Sequence, residues 1–182
     1  TTLFRSALTI SPQFIASGFY LNEILLRLLQ RHDAQLELFG WYDATLRELS
    51  ALDANADLSV LEVILRRFEM RLLSALGYGL MLDHDMHSPL PVRAEQQYIY
   101  HLEHGPALVD HQAEDRHSES FGIPITGHTL LAMQADDFSD ELTRREAKHL
   151  LRAVLGVYLG SKPLASRELM MQSAQLAQRV AQ

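Results

Sequence analysis

Apolar residues recur at three- and four-residue steps over most of the chain, which predicts helices that each bury one face. From Phe14 onward, Leu21, Ile24, Leu25, Leu28 and Leu29 mark a first helix running to about Arg31, entered at Ser11-Pro12. Asp33 is placed to cap a second, with Leu38, Tyr42, Leu46 and Leu49 on one side, Gly40 as a weak point, and the polar run DANAD as its end. Ser59 and Glu62 have capping-box spacing ahead of a stripe of Leu61, Ile64, Leu65, Phe68, Leu72 and Leu76, with Gly77 placed as the stop. Ser139 is expected to open a long helix carrying Leu142, Leu150, Leu151, Val154, Leu155 and Tyr158, closed by Gly160, and a last helix follows Pro163.

Between Leu80 and Thr126 the helical period vanishes. Prolines and glycines appear there, and the short alternating runs QYIYHLE and PALVD flank His104-Gly105, which predicts a small β-hairpin inserted among helices at about 81–127. A short helical turn with Leu130, Leu131 and Met133 follows Gly127, while the opening TTLFRSALTI reads as a strand end or extended lead-in. The fold class is therefore mainly α, a helical bundle with a small β-hairpin insertion.

With 182 residues, 47% of them hydrophobic and 21% charged, the chain can fill one ordinary core, so one principal domain is expected. Its formal net charge of -7 repels phosphate overall, and any nucleic-acid contact must come from a local basic patch. The absence of cysteine excludes disulfides and cysteine-ligated zinc and points to a reducing compartment, the cytoplasm. No apolar run approaches the roughly 20 residues of a membrane span, and no export signal opens the chain, so a soluble protein is expected. The start at Thr1-Thr2, without an initiator Met, suggests that something upstream has been removed.

Catalytic frames fail one after another. There is no phosphate loop ending in Lys-Ser/Thr, no GxGxxG, no GxSxG and no cysteine nucleophile, so an enzyme is not expected and no cofactor is called for. His84, His87, His101, His104, His111 and His117, with Asp83, Asp85, Glu103 and Asp115, invite a metal reading because imidazoles and carboxylates are good zinc ligands. No fixed frame such as HExxH organises them, so a polar insertion that tolerates histidine is preferred to a metal-dependent hydrolase. Phe39, Trp41 and Tyr42 fit a core role better than a base-stacking platform.

Four stretches, in order, are GFYLNEILLRLL at 18–29, LRRFEMRLLSALGYGL at 65–80, TGHTLLAM at 126–133 and YLGSKPLASREL at 158–169. Together they resemble the RecO family of bacterial recombination mediators. The resemblance implies an N-terminal OB-fold that binds single-stranded DNA, followed by a helical domain interrupted by a zinc-ribbon-like insertion. Here residues 1–12 look like the exit of that OB-fold and 13–182 like the helical domain, and the lack of cysteines between Leu82 and Ile125 fits a metal-free insertion. Implied partners are the C-terminal tail of single-stranded DNA-binding protein (SSB), RecR, RecA indirectly, and single-stranded DNA.

Arginine outnumbers lysine fourteen to two, and the cations fall on or beside apolar helix faces. Arg67 and Arg71 are four apart, as are Lys148 and Arg152, so each pair shares a face. A guanidinium fork beside exposed leucines suits an acidic peptide that ends in an apolar residue and a free carboxylate. Arg66, Arg67, Arg71, Lys148 and Arg152 are accordingly the expected SSB-tail site, and Arg144, Arg145, Lys162 and Arg167 the expected nucleic-acid contacts. The plainer alternatives are solvated helix faces balanced by Glu62, Glu69, Glu141 and Glu146, helix capping by Lys162 and Arg167, and a helical scaffold with neither affinity.

Overall fold

The computed structural model describes residues 8–29, 35–109 and 122–171. Asp33, His111, Asp115 and His117 lie outside the described residues. The chain forms two compact units, Thr1–Phe68 with Tyr158–Gln182, and Glu69–Val157.

In the first unit a 3-10 turn at Pro12–Phe14 leads into helix α1, Ile15–Leu28. Proline suits a first turn because its fixed φ is already helical and no N–H is needed there. The lead-in is tied to the far end of α2, Leu36–Ala51, where the Ser11 hydroxyl donates to the Leu52 carbonyl at 3.1 Å and the Gln13 amide to that of Ala54 at 2.6 Å. Helix α1 stops earlier than the expected Arg31 because Leu29 takes extended backbone, φ -83 and ψ 136. Phe14, Leu21, Ile24, Leu38 and Leu49 are fully buried, as the three- and four-residue spacing requires. Each such side chain contributes about 1.5–3 kcal/mol over an exposed position.

Helix α3, Leu58–Ala75, carries Ile64, Leu65, Phe68, Leu72 and Leu73 in burial. Its cap differs from the expected Ser59 box. The Asp57 carboxylate accepts from the Ser59 N–H at 2.9 Å, so the helix starts two residues earlier, at Leu58. Gly77 ends it as expected, with φ 81, a left-handed conformation that only glycine adopts without strain.

The second unit contains the insertion. Strands β1, Gln97–His101, and β2, Gly105–Leu108, form the expected hairpin, and β3, Ile123–Thr126, adds on the other side to give an antiparallel sheet in the order β2-β1-β3. Tyr98 and Tyr100 alternate inward from the central strand and are each 3% exposed. Their hydroxyls are satisfied by backbone: Arg93 N–H donates to Tyr98 at 3.0 Å and Met81 N–H to Tyr100 at 3.2 Å. β3 runs directly into α4, Gly127–Gln134. At that junction a Cβ on Gly127 would stand 1.9 Å from the Arg93 carbonyl oxygen, so the sheet and helix can meet only through glycine. Helix α5, Glu141–Leu159, buries Ala147, Leu150, Leu151, Val154 and Leu155. Asp140, not Ser139, caps it by accepting from Thr143 N–H at 2.9 Å, and this bond holds its carboxyl below the ordinary range. No described helix is long and apolar enough to cross a membrane.

Candidate functional site

The clearest polar construction lies in the first unit, where two motif segments far apart in sequence meet. Glu23 and Arg27, four apart on α1, both face the segment SKPLAS. The Glu23 carboxylate accepts from Ala165 N–H at 3.0 Å and from Ser166 N–H and Oγ at 2.9 and 2.6 Å. Residues 165–171 are helical, so this carboxylate takes up the first free N–H groups of that turn. Arg27 donates to the Lys162 and Pro163 carbonyls at 2.7 and 2.8 Å and lies 3.5 Å from Glu23. Desolvation pushes the Glu23 carboxyl upward, but the Ser166 and Ala165 hydrogen bonds and the Arg27 charge outweigh it and leave the group below its ordinary value. Because α1 holds the backbone of this segment, the exposed Lys162 side chain and the half-buried Arg167 project from a fixed turn.

The α3 cations are less accessible than their spacing suggests. Arg66 is only 6% exposed and Glu69 1%, while Arg67 and Arg71 are half-buried. Solvent does not reach the Nε atoms of Arg66 and Arg67, and Glu62, Arg66, Arg67 and Glu69 each have an interaction partner. A fully solvated α3 face is therefore excluded for Arg66 and Glu69. Arg66 and Arg67 belong to the first unit, whereas Arg71, Lys148 and Arg152 belong to the second.

On α5 the expected cations divide by role. Arg144 is engaged, donating to the Phe138 and Ser139 carbonyls at 2.9 and 2.6 Å. Arg145, Lys148 and Arg152 are exposed. At 3.6 residues per turn these three fall within about 60° of one another around the helix, on one face. Glu146 is drawn elsewhere, accepting from Thr126 N–H and Oγ at 3.0 and 2.8 Å.

Two apolar grooves lie in the first unit. One, of about 320 Å³, is lined by Leu25, Leu29, Leu36, Leu38, Phe39 and Tyr42. The other, of about 220 Å³, runs past Leu8, Ile15, Phe19 and Tyr42. Tyr42 bridges both, its hydroxyl donating to the Asn22 side-chain oxygen, and burial raises its pKa. None of the nine expected cations lines either groove. The guanidinium fork and the apolar pocket of the peptide-docking expectation thus fall on different residues.

Among the described residues no group of three or more His, Asp or Glu is placed to hold a metal. His84 instead pairs with the adjacent Asp83 at 2.6 Å, and Asp85 staples the insertion by accepting from Leu108 N–H at 2.6 Å. Sequence reasoning missed Glu23 and Arg27. Their four-residue spacing on one helix was the available signal, but nothing local disclosed a partner some 140 residues on.

These elements define a mainly helical module with a small antiparallel sheet, whose surfaces of interest are cationic and apolar helix faces. The chain belongs to the family described as Recombination protein O C terminal, which matches residues 12–168. It is similar to the DNA repair protein RecO of Nitrosospira multiformis, 43% identical over 159 residues that cover 87% of this chain and 61% of that protein. The Alkalilimnicola ehrlichii protein of the same name is 45% identical over 163 residues, 88% of this chain and 59% of its own length. That of Coxiella burnetii is 42% identical over 161 residues, 88% and 64% respectively. The chain thus spans about three-fifths of the relatives it matches.

Proposed function

We propose that this chain serves DNA repair and homologous recombination as the helical part of a mediator that acts by binding rather than by covalent chemistry. The observation that carries this is the family match over residues 12–168, supported by the way α1 locks the SKPLAS segment that the family resemblance singles out. In this reading residues 1–12 are the remnant or exit of an OB-fold, the chain engages the acidic tail of SSB and single-stranded DNA, and with RecR it loads RecA or anneals strands in the cytoplasm. Arg67 and Arg71, half-buried on α3, would supply guanidinium groups to the tail's carboxylate, and Lys162 and Arg167 charge for nucleic acid.

The test is anisotropy titration of a labelled SSB tail peptide against the whole chain. Weak-to-moderate binding is expected, lost when the terminal apolar residue of the peptide is removed and weakened at least tenfold by Arg71→Glu, since a charge-assisted fork is worth about 1.5–3 kcal/mol. Equal affinity for the intact and trimmed peptides, together with no effect of the substitution, would refute it. Arg66→Glu is a poorer probe because a buried arginine cannot be reversed without disturbing the fold.

A further inference from the structure

We infer that the outer face of α5 is a single track for a phosphodiester backbone, built by Arg145, Lys148 and Arg152 together. The inference rests on the mediator reading only in taking DNA as the polymer. Sequence spacing had divided these residues, giving Lys148 and Arg152 to an acidic peptide and Arg145, with Arg144, to nucleic acid. The structure regroups them: Arg144 is bound to the Phe138 and Ser139 carbonyls, while the other three are exposed on one side of the helix.

Charge favours an anion there. Arg145 and Arg152 form no ion pair among the described residues, Lys148 is exposed but has an interaction partner, and Glu146, the acid next to Arg145, is held by Thr126. Glu141, one turn before Arg145, is the acid at the end of the stripe. In a chain of net charge -7 such a face is a local departure, not a reflection of bulk composition.

Shape decides which anion. A peptide anchored by a terminal apolar residue needs a pocket beside the cations, and neither apolar groove is lined by a residue of the stripe or of its unit. A sugar-phosphate backbone needs only spaced positive charge. From Arg145 to Arg152 the helix rises about 10.5 Å, at 1.5 Å per residue, which spans more than one phosphate of a strand.

The test is titration of the whole chain with labelled oligothymidylate over a range of salt, comparing wild type with the combined variant Arg145→Ala, Lys148→Ala, Arg152→Ala. All three side chains are exposed, so the variant should keep the wild-type circular dichroism and melting temperature. The expected result is about a tenfold or greater loss of affinity at low salt, with the slope of log K against log salt smaller by about 2, near 0.7 for each phosphate contact removed. Glu141→Gln should act in the opposite direction and tighten low-salt binding about twofold. Identical affinity and slope in wild type and combined variant would overturn the inference, as would salt-insensitive or undetectable binding by wild type. A combined variant that lost the SSB tail peptide and kept DNA would overturn it too, by assigning the stripe to the peptide. Because the Arg71→Glu titration reads the peptide alone, failure of the tail proposal and failure of the stripe register separately.

Discussion

Replacing Glu23 should cost more than any other single surface-proximal change in the first unit. In Glu23→Ala the Ser166 N–H and Oγ and the Ala165 N–H lose their acceptor. Ser166 is 2% exposed, so water cannot readily substitute for the carboxylate there, whereas Ala165 is exposed and its amide can be hydrated. Two orphaned donors at about 1–3 kcal/mol each, less what relaxation recovers, give an expected loss of roughly 2–4 kcal/mol. The Arg27 pair adds little, since its more important bonds run to the Lys162 and Pro163 carbonyls and survive. Urea unfolding should show this as a lower midpoint with unchanged slope, and hydrogen exchange should quicken at the Ser166 amide before it does in α1. Glu23→Gln keeps one accepting oxygen and should lose about half as much. The pH dependence supplies a second check. The folded carboxyl titrates below its ordinary 4.5, so its contribution is complete above that value and disappears as pH falls through the folded pKa. The gap between wild type and Glu23→Gln should therefore narrow in acid. A loss under about 0.5 kcal/mol for Glu23→Ala, equal at neutral and acid pH, would show that the segment is held by apolar packing of Leu164 and not by this carboxylate.

Gly127→Ala should destabilise the second unit by about 2–3 kcal/mol or more, because the added methyl meets a backbone carbonyl that cannot swing aside; thermal melting checks it, and a shift under a degree would contradict the geometry. Asp57→Ala should cost about 1 kcal/mol in chemical denaturation while Ser59→Ala is near neutral, and the reverse order would restore the Ser59 capping box. Asp140→Asn should lower stability at neutral pH but not in acid, since the depressed Asp140 carboxyl contributes only while ionised.

Helix identity was readable wherever one apolar face was long enough to repeat, as along Ile64, Leu65, Phe68 and Leu72, because the burial that stabilises the helix also writes its period. Caps were misplaced at Ser59 and Ser139 for a common reason. Each has an aspartate nearby, Asp57 and Asp140, and which side chain reaches the free N–H groups depends on backbone angles that residue type does not specify. The third strand, IPIT, was missed because Pro124 reads as a loop signal. In the sheet it sits on an edge strand, opposite Ile99, where a missing N–H costs no ladder bond that the fold needs.

The candidate sites were legible only as charge, not as availability. Fourteen arginines in one chain announce cationic chemistry, yet sequence spacing treats Arg144 and Arg145 alike, and Arg66 like Arg71. What separates them is where neighbouring carbonyls and apolar side chains end up: Arg144 finds two carbonyls at the start of its own helix, and Arg66 is covered. Guanidinium groups are useful in both places because they carry five donors and an apolar stem, so the same residue type can close a loop or meet an anion. A periodic pattern of arginines therefore nominates a face, and the carbonyls within reach decide how many of its charges remain for a partner. On α5 Arg145, Lys148 and Arg152 are all exposed, which is why the stripe, rather than an α3 set in which Arg66 is covered and Arg67 and Arg71 are half-buried, is where salt-dependent binding should be sought first.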